Sequence, residues 1–323
     1  MSLKSTANPF QQTITEEQVF SILDHLQPTA EGYDKIPAWF LRLLAPVCSR
    51  CLAHLINLSL CNSFVPPQWK IAVIHPVPKT KAPQAPADYR PTLVVPILSR
   101  IVERLVVHAY LYPALSGPEI EPMIKDQFAF RPTGSTTVAL IDLFQQLTIL
   151  LQRNEYVMLV SVDFTHAFDT IRHQTLVEKM AVIYLPNHIY NWMAAYFHQR
   201  GHVTKILDVI SIIDMITASI IQRSVVGLPS YVVAASGLHP ILTENSLMKY
   251  ADDTYLLVGS SKIDTLAMEF DHIKKWAATN NLRLNPSKTR ELIIYRKRPG
   301  FDPLGDPLLS GATRVGSSGS WAS

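Results

Sequence analysis

The chain has 323 residues, 48% of them hydrophobic and 17% charged, with a mean hydropathy of +0.13. That much apolar surface excludes global disorder and leaves room for one large domain or two smaller ones sharing a cleft. The formal net charge of +3 permits a polyanionic partner without demanding one.

The first residues, MSLKSTANPFQQT, lack the apolar segment of a secretory signal, and the greasiest stretch, Val209 to Ile221, is interrupted by Asp214. It falls short of the roughly 20 residues needed to span a bilayer. An intracellular protein, in cytoplasm or nucleus, is expected. The three cysteines, Cys48, Cys51 and Cys61, are too few and odd in number for a disulfide framework. Cys48-x-x-Cys51 with His54 imitates zinc spacing, but it lies on a helical pattern, so buried cysteines are expected instead.

In chain order, Thr15 caps an opening helix that runs to about Leu26, and Ala38 to about Asn62 is helical with a break near Pro46. Pro66 to Pro96 reads as a strand, IAVIHPV, leading into a long basic loop with Lys79, Lys81 and Arg90. Helical periodicity returns at Ile97–Tyr112 and Ser135–Gln152, on either side of the turn-rich FRPTGST. YVMLVSVDF, Tyr156 to Phe164, is an apolar run ending in an acid, the pattern of a strand buried on both faces. AFDTIRHQTLVEKM and Asn187–Gln199 are helical, and HVTKILDVISI and DMITASII strand-like. Leu247 to Ser260 predicts a hairpin with Asp252 and Asp253 at its tip, followed by a helix over Lys262–Asn280 and two short strands in LRLNPSKTRELIIY. Pro299 to Ser323 is rich in Gly and Ser and is expected to be mobile.

The acids carry the chemistry. An Asp–Asp pair alone at a hairpin tip would read as a solvated turn. Here the flanks are apolar and a distant strand ends in Asp163. Neighbouring strands lie about 4.8 Å apart, so pairing these elements would converge the carboxylates. Their repulsion calls for a hard divalent cation, Mg²⁺ or Mn²⁺. Two such ions about 3.5 to 4 Å apart would serve phosphoryl transfer.

The chain also resembles the reverse transcriptases of non-LTR retrotransposons of the Jockey-like kind. The resemblance spans about Glu31 to Arg298 and rests on ordered blocks: WKIAVIHPVPK (Trp69–Lys79), DYRP (Asp88–Pro91), QFAFRPTGSTT (Gln127–Thr137), DFTHAFDTIRH (Asp163–His173), ASIIQRSVVG (Ala218–Gly227), YADD (Tyr250–Asp253) and NNLRLNPSKT (Asn280–Thr289). It implies an α+β right-hand polymerase with palm and fingers, which would add deoxynucleotides to a DNA primer along an RNA template. In that fold Asp163, Asp252 and Asp253 would be the catalytic, metal-binding triad, with the Phe164 carbonyl completing one metal's shell. Phe168 would be the steric gate against ribonucleotides, with an ordinary core Phe as the alternative. The resemblance further implies that Lys79 and Arg90 grip the triphosphate, that Gln222 underlies the nascent base pair and that Lys288 stands near the departing pyrophosphate. Gln127 and Arg131 would contact nucleic acid, although the Ser and Thr of that block could equally cap the next helix.

The expected organisation is an N-terminal extension over 1–30, mainly fingers over 31–155, mainly palm over 156–298 and a tail over 299–323, with the polymerase domain at about 60–298 and the thumb truncated or absent. Arg223 stands where the family pattern has glycine, which strains or obstructs that turn if it needs positive φ. A catalytically decayed fragment that keeps only nucleic-acid binding is therefore the alternative. A metal-dependent nuclease would share the acids, but Phe168 and the fingers cations argue against it.

Overall fold

The computed structural model describes residues 3–4, 14–220, 224–295 and 307–315. Its contacts divide the chain into two interleaved units, Met1–Gly117 with Arg172–Ser230, and Pro118–Ile171 with Tyr231–Ser323. The units are interleaved along the chain: the segment from Pro118 joins the strand that begins at Tyr156, and the segment from Arg172 returns to the first unit.

In the first unit the opening helix, Glu16–Asp24, is fixed by a reciprocal cap in which the Thr15 hydroxyl accepts from the Gln18 amide and the Gln18 side chain accepts from the Thr15 amide. The proline-broken stretch resolves into Ala38–Leu43 and Ala45–Cys61, with Pro46 in the first turn of the second helix, where its missing N–H costs nothing. The cysteines are not the buried residues expected. Cys51 is exposed, Cys48 and Cys61 are half-buried, and all three are free, because this helix buries the row Ser49, Ala53, Ile56 and Leu60. The segment taken as a loop returns as a strand: Ile71–Pro78 pairs antiparallel with Tyr89–Val94 and, on its other edge, parallel with Arg200–Ile206. AFDTIRHQTLVEKM is likewise two helices, Ala167–Thr170 and His173–Met180, which fall in different units.

The first unit has a polar interior. Glu103 is fully buried and accepts hydrogen bonds from the Tyr196 hydroxyl (2.7 Å), Ser99 (2.9 Å), Ser224 and the Val225 amide (3.0 Å). Arg200, equally buried, lies 4.2 Å over the Tyr196 ring and donates from Nη1 to the Tyr196 carbonyl. A carboxylate with four donors meets the rule that buried charge must be satisfied.

The second unit is built on a sheet of five described strands in the order Thr313–Val315, Arg290–Tyr295, Tyr156–Val162, Asp253–Gly259, Ser246–Tyr250. Tyr156–Val162 is central and almost wholly buried, as its unbroken apolar run predicts. Leu147, from the helix Thr136–Arg153, packs on its Val157 and Leu159 and on Leu257. Part of the segment expected to be mobile is packed into this sheet. Thr313–Val315 pairs parallel with Arg290–Tyr295, Leu309 is buried, and the fully buried Glu291 accepts from the Leu308 and Leu309 amides and from Arg314. No described helix is long and apolar enough to cross a membrane.

Candidate active site

The antiparallel ladder between Tyr156–Val162 and Asp253–Gly259 runs to Val162 opposite Thr254. Asp163 follows Val162 directly, where this pairing ends, so its backbone lies at the same end of the sheet as Asp253. On the other edge Tyr250 pairs with Asp253, which leaves Ala251 and Asp252 as a two-residue hairpin loop. Both the strand-end acid and the loop acids are therefore brought to one end of one sheet by backbone register, independently of side-chain rotamers.

The loop is tight and carries an unusual residue. Ala251 has φ of 55°, a left-handed conformation disfavoured for any residue with a Cβ but suited to the twist of a two-residue hairpin. Gln127, fully buried, spans this residue: its Oε1 accepts from the Ala251 amide (3.1 Å) and its Nε2 donates to the Ala251 carbonyl (3.3 Å). The segment around Gln127 also extends the sheet edge, with the Lys249 amide donating to the Asp126 carbonyl (2.7 Å) and the Phe128 amide to the Lys249 carbonyl (2.9 Å). Lys249 is buried with its Nζ on the Ala235 and Leu238 carbonyls at 3.0 Å, so this cation braces the hairpin from inside and is not offered to a ligand.

Negative charge accumulates at the tip. Partial burial raises the Asp253 carboxyl pKa above the ordinary value, and the charges of Asp252 and Asp163 raise it further. Tyr231, 2% exposed, feels the two acids of the hairpin. Burial raises its phenol pKa, and Asp252 and then Asp253 add to the shift. The oxygen donors and their mutual repulsion fit a hard divalent cation. Among the described residues, no group of three or more His, Cys, Asp or Glu side chains is gathered closely enough to hold an ion as it stands.

Behind the acids lies an aromatic cluster. Phe168, on the short helix Ala167–Thr170, stacks on Tyr231 with ring centroids 4.3 Å apart and an interplanar angle of 22°, and meets Phe130 edge-on at 6.1 Å. It is half-buried, so one side of the ring stays accessible. Tyr231 is the residue that sequence reasoning missed. Its signal is weak: an aromatic hydroxyl next to Ser230 in the largely apolar helix Gly227–Ala234.

The remaining expected residues fall in distinct places. Phe164 is buried, pairs with Leu284 and tilts against Trp276. Lys288 is exposed in the turn whose Asn285 amide donates to the Asp163 carbonyl at 2.9 Å. Arg131 does not present its guanidinium outward: it donates to the Ile124 carbonyl (3.0 Å) and pairs with Glu121. Gly134, in the same block, is required, since a Cβ there would stand 1.9 Å from the Phe128 carbonyl oxygen. For Gln127 and Arg131 alike, the expectation of an open nucleic-acid contact meets side chains already committed within their own unit. Ser135 does cap the following helix, through the Val138 amide. In the first unit Lys79 and Arg90 are exposed, and the pairing of Val77 with Arg90 puts them on one face of their hairpin. Gln222 and Arg223 lie outside the described residues.

Residues 77–307 match the family model described as reverse transcriptase (RNA-dependent DNA polymerase). Over 315 residues the chain is 29% identical to the RNA-directed DNA polymerase from mobile element jockey of Drosophila melanogaster, covering 92% of this chain and 34% of that protein. It is 28% identical over 306 residues to the probable RNA-directed DNA polymerase from transposon BS of the same species, covering 89% and 33%. The chain thus spans about a third of the length of the curated relatives it matches. Among solved structures, apo telomerase from Candida tropicalis truncated from its C-terminal domain superposes with a TM-score of 0.50 at 15% identity, over 72% of this chain and 52% of that one. The telomerase in complex with a telomeric RNA fragment gives 0.51 at 13%, over 71% and 42%. At such identity the likeness bears on fold alone, and it is the palm and fingers fold of polymerases. With the matched region covering more than two thirds of its length, the chain belongs to the reverse transcriptase family.

Proposed function

We propose that this chain is an RNA-directed DNA polymerase that extends a DNA primer along an RNA template with deoxynucleoside triphosphates. The observation that supports the reading is that Asp163, at the exit of one strand, and Asp252 and Asp253, in the hairpin paired with that strand, share one end of a buried sheet, where the charges of Asp252 and Asp163 both act on Asp253. Two divalent cations, Mg²⁺ or Mn²⁺, would lower the pKa of the attacking 3′-hydroxyl and neutralise charge on the leaving pyrophosphate. Asp163 and Asp252 would hold them, with the Phe164 carbonyl as a further ligand and Asp253 contributing less directly.

The other residues orient the reactants. Lys79 and Arg90 would supply charge-assisted hydrogen bonds to the triphosphate, with Arg90 suited to a bidentate grip. Phe168, backed by Tyr231, would fill the space a ribose 2′-hydroxyl needs. Lys288 would protonate the departing pyrophosphate, and Gln222 would underlie the nascent pair. The test is primer extension on an RNA template with Mg²⁺ or Mn²⁺, beside Asp252→Asn. A folded wild-type chain indistinguishable from that variant sinks the reading.

Arg223, where the family pattern has glycine, favours a second reading, a chain that binds nucleic acid without polymerising. Under it, wild type retains a primer–template and extends nothing. Recovery of extension by Arg223→Gly would then assign the defect to that side chain.

A further inference from the structure

We propose that Gln127 is a positioning residue for the aspartate turn, whose side chain holds Ala251 in its left-handed conformation and thereby aims the Asp252 carboxylate. The inference rests on the polymerase reading for its catalytic consequence, but its geometry is independent of it. One buried amide engages both peptide groups of a single residue, taking the Ala251 N–H on Oε1 and giving its own N–H to the Ala251 carbonyl. The same Oε1 accepts from the Ala129 amide at 3.1 Å, which pins the amide's orientation.

The strand itself does not need this side chain. Lys249 is already paired to Asp126 and Phe128 through the backbone, so the hairpin would stay attached to its edge without Gln127. What the side chain adds is local. Ala251 precedes Asp252 directly, and a residue at φ of 55° lacking glycine's freedom has a more favourable alternative at negative φ. Relaxation to that alternative would rotate the peptides on either side of Ala251 and swing Asp252 off the end of the sheet. A side chain clamping both ends of the residue opposes that rotation. The role also accounts for the burial: Oε1 accepts from two backbone amides and Nε2 gives a hydrogen to the Ala251 carbonyl.

The test compares the full chain with Gln127→Leu, Gln127→Asn and the double variant Gln127→Leu/Ala251→Gly. Three quantities are measured: Mn²⁺ affinity by loss of the free-ion resonance, primer–template affinity by fluorescence anisotropy, and single-turnover incorporation. Losing the paired hydrogen bonds should weaken Mn²⁺ binding about tenfold and slow incorporation about ten- to hundredfold. Primer–template affinity should stay within about twofold, as expected when only the turn is disturbed. Glycine at 251 adopts positive φ without help, so the double variant should recover most of both losses. Gln127→Asn keeps an amide one methylene short and should show the same two losses, so it takes the place of the leucine variant if that one does not fold.

Wild-type Mn²⁺ affinity in a folded Gln127 variant overturns the proposal. So does a loss that glycine leaves unrelieved, which would indicate a packing role, or a loss confined to primer–template affinity, which would indicate a nucleic-acid contact. A chain that binds Mn²⁺ through Asp252 yet extends no primer would end the polymerase reading alone, with the metal measurement still deciding Gln127. Mn²⁺ binding indifferent to Asp252→Asn ends both.

Discussion

Two hairpins carry most of the charged residues assigned to the proposed site, and they are built in opposite ways. The acidic one, Ser246–Tyr250 with Asp253–Gly259, turns in two residues, is buried over most of its length and takes its third acid from the neighbouring strand. The basic one, Ile71–Pro78 with Tyr89–Val94, opens into the segment 79–88, where Asp88 ties the Gln84 and Ala85 amides at 2.8 and 2.9 Å, and it exposes Lys79 and Arg90. Short carboxylates have little reach, so their meeting point must be set by the backbone. Long cationic side chains find a phosphate from a range of backbone positions. Rigidity is therefore concentrated where the side chains are short.

The difference predicts unequal responses to substitution. Asp163→Asn or Asp252→Asn should lower the rate of nucleotide incorporation by on the order of 10³-fold or more, equivalent to about 4 kcal/mol. Single-turnover extension measures this, and a drop under tenfold would mean that the register does not place a catalytic site. Arg90→Ala and Lys79→Ala should act on substrate grip instead, raising the KM for deoxynucleotides roughly 10- to 100-fold, in keeping with about 1.5–3 kcal/mol for a hydrogen bond to a charged group. Arg90→Lys should recover only part, since the fork is lost. If these variants lose kcat with KM unchanged, the basic hairpin is as tightly positioned as the acidic one and the contrast fails.

Smaller again is the effect expected behind the acids. Phe168→Val should relax discrimination between deoxy- and ribonucleotides by on the order of 10²-fold in the ratio of kcat/KM values. Tyr231→Leu should relax it by about fivefold, the scale of one aromatic contact. A Tyr231→Leu effect as large as that of Phe168→Val would point to the phenol acting on the acids, not on the ring it backs.

Much of this arrangement was legible in the chain, and what was not has a common cause. The apolar run ending at Asp163 and the hairpin around Asp252 and Asp253 follow from local pattern, because burial and turn chemistry act over a few residues. Which residue faces which does not: the pairing of Val162 with Thr254, which brings Asp163 to the hairpin, depends on register between segments some ninety positions apart. The second strand of the basic hairpin was missed because Tyr89–Val94 contains Pro91, which usually argues against a strand but is tolerated where its missing N–H leaves no ladder bond unmade. Cys48 and Cys51 were misplaced because a helix with small residues at Ser49 and Ala53 buries those in preference to its thiols. The hydrogen bonds of Gln127 to Ala251 have no signal in its sequence neighbours, since that peptide is more than a hundred positions away.

The unit that carries the basic hairpin should also lose stability on acidification, through one buried histidine. His173, 3% exposed, sits against Ser219, with Nε2 and the Ser219 carbonyl 2.9 Å apart. Burial lowers its pKa below the ordinary imidazole value, Ser219 partly opposes this, and the charge of Arg200 adds to the lowering. The unfolded chain therefore binds this proton at about pH 6.5 while the folded one still refuses it. Between those two pKa values the unfolded state holds more protons, so stability rises with pH and falls as the solution is acidified from about pH 7.5 downward. The limit is about 1.4 kcal/mol for each unit of depression. Thermal melts at both ends of that range should show wild type losing more on acidification than His173→Gln, which has no proton to gain. Parallel losses in the two proteins would mean that the imidazole takes up its proton as readily in the fold as in the unfolded chain, and the unit that carries the basic hairpin would then owe none of its acid sensitivity to His173.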